Sequence, residues 1–353
     1  MRRTTKYVAL DVHQATTVVS VRDGRRRVIA RAILPTENTA ISTFFGGMRG
    51  TVQVAFEEGT QAQWLHDLLE PLVDRIVVCH RRGEHRGMKA DQKDADQLSA
   101  RLLSGDLRAV YHGSTDRMVL RELTRTYTHL VEDSTRAMLR LKSLFRSVAI
   151  PTPGQRVYST RERAQWLAKL TNRGTRLRAE ALYAQIDLLS ELRPRAKAAM
   201  IVEARRDPSW KVLRSIPFLG PVRVALILAT MKTPWRFRTK RNLWAYVGLA
   251  VVTQSSADHA FVDGKPVRRR RKPLTRGLNR NHNPILKNVF KGAATAAVSH
   301  RGPLQALYHE RVERGMRPDM ARLTVARKLA ATTLRLWKRG EAYDPAKLSM
   351  SSP

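Results

Sequence analysis

Lys6-Tyr7-Val8-Ala9-Leu10-Asp11-Val12 is the stretch on which the fold turns. Tyr7 to Leu10 is apolar and favours a strand, and it runs straight into Asp11. A carboxylate at a buried strand end is costly unless positive charge meets it, and a divalent cation is a common partner. The chain is therefore searched for further acids that could converge on Asp11.

Working outward, Tyr7–Val12 and Thr16–Arg22 read as two strands. Asp23-Gly24 is a hairpin signal, and Arg27–Leu34 follows as a third strand. A helix is expected over Thr39–Phe45, ended by Gly46-Gly47. Thr51–Phe56 alternates as a fourth strand and is closed by Glu57. Gln61–Leu69 reads as a helix with Trp64, Leu65, Leu68 and Leu69 on one face, Arg75–Cys79 as a fifth strand, and Asp91–Leu103 as a helix with Ala95, Leu98 and Leu102 inward. A meander followed by strand–helix alternation is the pattern of a ribonuclease-H-like sheet, in which acids from the first strand, the fourth strand and a later helix meet. Asp11, Glu57, Asp91 and Asp94 stand at those places. Asp91 and Asp94 are three apart and can face one way. Carboxylate oxygens are the ligands magnesium favours, and a metal pair suits phosphoryl transfer. Each acid also has a plainer reading. Asp91 can cap its helix and Asp94 can answer the helix dipole. Glu58 stands beside Glu57 as an alternative ligand, Asp96 lies off the shared face, and His13 is either a neighbour of the site or an ordinary exposed histidine.

This first domain is placed at residues 1–112, with a helical region at 113–206, a third domain at 207–345 and a tail at 346–353. In the middle, Leu120, Leu123, Tyr127, Leu130, Ser134, Ala137, Leu141, Leu144 and Val148 keep a 4–3 spacing. Pro151-Thr152-Pro153-Gly154 breaks it. A second tract from Glu162 to about Arg206 repeats the spacing at Leu167, Leu170, Leu177, Ala181, Ala184 and Leu188, with Gly174 as its weak point. The two tracts read as a long antiparallel coiled-coil hairpin, either a spacer or a dimerisation element.

The third domain is expected to be mainly helical. Ile216-Pro217-Phe218-Leu219-Gly220-Pro221 resembles a helix-hairpin-helix turn with Phe218 in place of its first glycine. An apolar run, Leu243–Val252, gives way to Gln254-Ser255-Ser256. Arg268, Arg269, Arg270, Arg271 and Lys272, then Arg276 and Arg280, form the densest positive stretch, read as a loop that contacts nucleic-acid phosphates. Helices are expected from Pro284 and over about Met320–Trp337.

Composition agrees. The chain has 353 residues, with 65 Lys and Arg against 30 Asp and Glu, a formal charge of +35. Such an excess repels itself unless a polyanion neutralises it, and nucleic acid is the expected partner. The basic residues are spread along the chain rather than beside one amphipathic anchor, and no apolar run approaches a bilayer span, so no membrane role is expected. The single cysteine, Cys79, allows no internal disulfide, fits a reducing cytoplasm and reads as a small core residue.

Three segments carry a family resemblance: the strand with Asp11, Phe56-Glu57-Glu58-Gly59-Thr60, and Lys89-Ala90-Asp91-Gln92-Lys93-Asp94-Ala95. They resemble the DEDD motifs of bacterial insertion-sequence transposases with a RuvC-like domain. Ser215-Ile216-Pro217, Tyr246-Val247-Gly248-Leu249 and Gln254-Ser255 resemble their transposase domain. The resemblance implies a recombinase that cuts and rejoins donor and target DNA under the guidance of a structured bridge RNA. It implies that Asp11, Glu57, Asp91 and Asp94 hold magnesium, with manganese the alternative. Ser255 would attack the DNA phosphate, with Ser256 the alternative where the family often has glycine. It also implies a homo-oligomer, dimers assembling to a tetramer, in which the carboxylates and serine of different subunits combine.

Overall fold

The computed structural model describes residues 4–80, 91–110, 117–254, 259–262, 265–268 and 274–344. They fall into two units, Met1–Thr115 and Asp116–Pro353.

The first unit is built on β1 (Thr5–Val12), β2 (Thr16–Asp23), β3 (Val28–Pro35), β4 (Thr51–Glu57) and β5 (Arg75–Cys79), with helices α1 (Asn38–Gly46), α2 (Ala62–Leu69) and α3 (Asp91–Ser104). The sheet order is β3-β2-β1-β4-β5. β1, β2 and β3 pair antiparallel, whereas β1, β4 and β5 run parallel. This is the ribonuclease-H-like arrangement read from the sequence. Side-chain alternation divides the core in two. Val8 and Leu10 of β1 point to one face and pack with Ile41, Phe45, Leu65 and Leu69 of α1 and α2. Ala9 points to the other, with Ala55, Val77 and Cys79, beneath Leu98 and Leu102 of α3. Small alanines at the centre of that second face let a helix lie close to the strands. On α2 the inner face is Ala62, Leu65 and Leu69, so Trp64, expected inward, lies one position off the stripe and is exposed.

The second unit begins with α4 (Met118–Ser147), then α5 (Arg163–Ala168) and α6 (Arg173–Arg205). α4 and α6 pack against each other along their lengths. Leu141, Leu144 and Phe145, late in α4, meet Ala179, Tyr183 and Ile186, early in α6. Leu120, at the start of α4, shares a core with Met200 and Ala204 at the end of α6. The pair is therefore antiparallel, as expected. The stripe expected on the second tract is not the one that is buried. Leu177, Ala181, Ala184 and Leu188 are exposed, and Ala179, Tyr183, Ile186 and Leu189 form the seam. The cause is a break before α6, not at Gly174. The Asn172 side chain accepts from Thr175 N at 2.9 Å and starts a new helix, so a phase counted from Leu167 does not carry across. Val148, expected to close the first seam, follows the last turn of α4 and is exposed.

The core of this unit joins α7 (Trp210–Ser215), α8 (Pro221–Met231), α9 (Lys240–Tyr246), α10 (Pro284–Val298), α11 (Pro303–Glu313) and α12 (Pro318–Arg339). Leu286, Val289, Phe290, Ala293 and Ala297 of α10 are all buried, as their spacing predicts. Between α9 and α10 the expected loop is instead strand-forming: β6 (Val251–Gln254), β7 (His259–Val262), β8 (Lys265–Arg268) and β9 (Leu274–Leu278). β6 pairs with β9 and β7 with β8, both antiparallel. These strands are four or five residues long, too short for apolar alternation to announce them. Among the described residues, no helix is long and apolar enough to cross a membrane.

Candidate active site

β1 and β4 are paired through Leu10 and Phe56, and Asp11 and Glu57 each follow that pair directly. Alternation puts Asp11 on the Ala9 side and Glu57 on the Ala55 side, which is the same face of the sheet. Both are half-buried there, and α3 packs over that face. The Asp11 side chain is 24% exposed, and its Oδ2 lies 3.3 Å from Nε2 of His13, two residues along the strand. Glu58, the alternative to Glu57, is exposed, and its backbone N donates to Cys79 O at 2.8 Å.

α3 begins at Asp91 and turns Ala95, Leu98, Ser99 and Leu102 to the sheet. Asp94 stands four residues before Leu98, so the helix period places it on the inward side, and Asp91 is the first residue of the helix. Asp94 is half-buried; the Asp91 side chain is outside the described residues. Asp96 points elsewhere. It accepts from Ser20 Oγ at 2.6 Å and from Arg31 Nη2 at 2.8 Å, tying α3 to β2 and β3. Burial alone would raise its pKa, but the hydrogen bonds from Arg31 and Ser20 outweigh that and hold the carboxyl below the usual range. Asp96 is thus a structural tie between helix and sheet, a role its position off the shared face could suggest but not identify.

Cys79 is paired with Glu57 across β4 and β5 and is fully buried. Burial, then the negative charge of Glu57, pushes its thiol up to about 11 against the opposing charge of Arg101. Such a thiol is inert, in keeping with a core residue.

The donor set at the strand ends is all carboxylate oxygen, half-buried and without soft ligands. That chemistry fits a hard divalent cation. The described members are not drawn into one tight cluster. Among the described residues, the group whose possible ligand atoms lie within 4.8 Å of one another is His66, Asp67 and Glu70, on and just after α2. The sequence reading passed over it, although His66 and Glu70 have the i, i+4 spacing that puts two side chains on one helix face.

In the second unit, Ser255 and its alternative Ser256 lie outside the described residues, as do Arg269, Arg270, Arg271 and Lys272. The ladders on either side are described. Gln254 pairs with Leu274, and His259 with Arg268. Arg268 therefore ends β8, Arg276 lies within β9, and Arg280 is exposed just beyond it. Gly248 has a structural reason to be glycine. Its φ is +67°, and a Cβ there would stand 2.5 Å from Cγ of His282. At the hairpin-like turn, Phe218 itself adopts the left-handed conformation of the glycine it replaces, with φ +66°. Arg223 Nη1 donates to its carbonyl at 2.7 Å, and Arg214 Nη1 donates to that of Leu219 at 2.5 Å.

Comparison with known families agrees with this layout. A profile described as "Transposase IS116/IS110/IS902 family" matches residues 210–310, and a DEDD transposase profile named for IS110, described as "Transposase", matches residues 8–150. The second runs from within β1 through α3 and α4, and the first from α7 through most of α11, ribbon strands included. No curated protein matches the chain.

Proposed function

Because the chain belongs to the IS110/IS116/IS902 transposase family, whose members cleave and transfer DNA strands, we propose that it cuts and rejoins donor and target DNA under the direction of a bridge RNA, with Ser255 as nucleophile. The observation that carries this reading is the placement of Asp11 and Glu57. They stand at neighbouring strand ends on the face covered by α3, whose first turn bears Asp91 and Asp94. A DEDD domain implies a divalent metal, and these four carboxylates are its proposed ligands, with magnesium the preferred ion. When bound, the metal would offset negative charge at the reacting phosphate. Ser255 Oγ forms the new bond to phosphorus and gives its proton to a carboxylate base, while the sugar oxygen leaves. The product is a covalent phosphoserine, which the second strand's hydroxyl resolves.

Two further features support the reading. Arg268 ends β8 and Arg276 lies within β9, strands that pair with β7 and β6, and β6 ends at Gln254, the residue before Ser255 in sequence. On α6, Leu177, Ala181, Ala184 and Leu188 keep a 4–3–4 spacing on the exposed side. An apolar stripe of that spacing suits a second copy of the chain, as the proposed dimer requires.

The test is a trapping assay with the full chain, RNA transcribed from its flanking element, labelled donor and target DNA, and magnesium. A labelled protein band that disappears in Ser255→Ala is the expected result, with RNA binding retained. Free nicked DNA without a protein adduct would replace the serine by water acting at the same carboxylates. Full recombination by Ser255→Ala would refute the serine assignment.

A further inference from the structure

Trp235 is 70% exposed, and its backbone is held in a turn. It lies in a 3-10 turn, Pro234–Arg236, whose N-cap Thr233 accepts from Trp235 N at 3.3 Å. Next to it, the Arg236 guanidinium stacks 4.4 Å from the Tyr246 ring centroid. Lys338 of α12 stands 5.3 Å from the Trp235 ring centroid and donates to Phe237 O at 2.6 Å. A large flat ring is thus presented to solvent with a cation beside it.

The neighbouring surface is crowded with like charge. Lys328, Arg335 and Lys338 lie within one side of α12 and span about 15 Å at 1.5 Å per residue. Lys240, at the start of α9, adjoins α12. Burial, then the charges of Arg335 and Lys240, holds Lys328 below the usual lysine range. Among the described residues, Lys240, Arg335 and Lys338 form no ion pair with a carboxylate. Cations gathered this way repel one another until a polyanion covers them. An exposed indole beside such a strip offers what an unpaired base needs and what a duplex, with its bases stacked inside, cannot use.

We propose that Trp235, with Lys240, Lys328, Arg335 and Lys338, forms a binding platform for single-stranded DNA, one base stacking on the indole and the adjoining phosphates lying along the basic strip. DNA is the occupant because strand cleavage and transfer is the activity of this family, and it frees DNA strands. The platform depends neither on the guide RNA nor on the serine.

The experiment measures binding of the full chain to a 15-residue oligothymidine, to a 15-base-pair DNA duplex and to the matching oligouridine. Trp235→Ala is expected to weaken oligothymidine binding about tenfold, the scale of one base–aromatic stack. Duplex binding and melting temperature should stay unchanged, and Trp235→Phe should keep most of the affinity. The double variant Lys240→Gln, Arg335→Gln is expected to lower the slope of log affinity against log salt by about 1.4, at roughly 0.7 per phosphate on a single strand. Unchanged oligothymidine binding by Trp235→Ala, or an equal loss on the duplex, would overturn the platform. A Trp235-dependent preference for oligouridine would overturn the assignment to DNA.

Discussion

The sheet unit and the β-ribbon of the second unit hold the two halves of one proposed chemistry, and they are built in opposite ways. In the sheet, Asp11 and Glu57 are fixed by a parallel ladder that is apolar on both sides, so the position of each carboxylate follows from the packing of Val8, Ala9, Leu10 and Phe56. In the ribbon, Val251–Gln254 and Leu274–Leu278 pair as strands of only four and five residues, with a register shift between Val251 and Thr253. The first arrangement sets side chains by burial; the second is described by its backbone pairing. The difference teaches that a carboxylate site for metal can be held by a core, whereas a surface for a polyanion must stay charged and therefore cannot bury itself.

The sharpest way to break that contrast is to substitute within the sheet face. Asp11→Asn is expected to lower DNA cleavage on the order of a thousandfold, the scale for removing one electrostatic element of a reacting site, with the melting temperature close to that of the parent. A loss of folding instead of cleavage would make Asp11 a structural acid like Asp96. In the second unit the largest expected effect comes from the backbone. Gly248→Ala meets the His282 ring at 2.5 Å and sits at φ +67°, and a cost of about 2 kcal/mol is expected in denaturant unfolding. An unchanged midpoint would mean that His282 moves aside freely. A smaller effect should appear at the tie between α3 and the sheet. Ser20 is buried and donates to Asp96, so Ser20→Ala is expected to cost about 1–2 kcal/mol. The folded-state pKa of Asp96 lies below its unfolded value near 3.9, so the contribution of Asp96 is complete above that pH and is lost as the pH falls through the folded value. Acid titration of the melting temperature should therefore fall less steeply in Ser20→Ala than in the parent.

How much could be read beforehand differs by region for the same reason. The strand order, the two-sided core and the inward face of α3 follow from apolar periods of two and 3.6 residues, as at Val52, Val54 and Phe56 or at Ala95, Leu98 and Leu102. The outer stripe of α6 was misplaced because periodicity was counted across a helix start at Asn172, which resets the phase without interrupting the apolar composition. The four ribbon strands are not legible in the sequence because segments of four or five residues are too short to show an alternating pattern, and backbone pairing leaves no local signal. Phe218 at positive φ escaped because its turn is braced by Arg214 and Arg223, which the sequence does not place.

By itself, then, the sequence determined the class of each region. Asp11 at the end of an apolar run, Glu57 closing a second, and two aspartates one helical turn apart are local facts of residue type and spacing, and so is a charge of +35. Only the tertiary structure decided which neighbours share a face. It set Glu57 rather than Glu58 beside Asp11, drew Asp96 away to Ser20 and Arg31, and held Trp235 out beside Lys338. Those choices depend on register and on long-range packing, where contacts between residues far apart in the chain carry the energy and no local spacing records it.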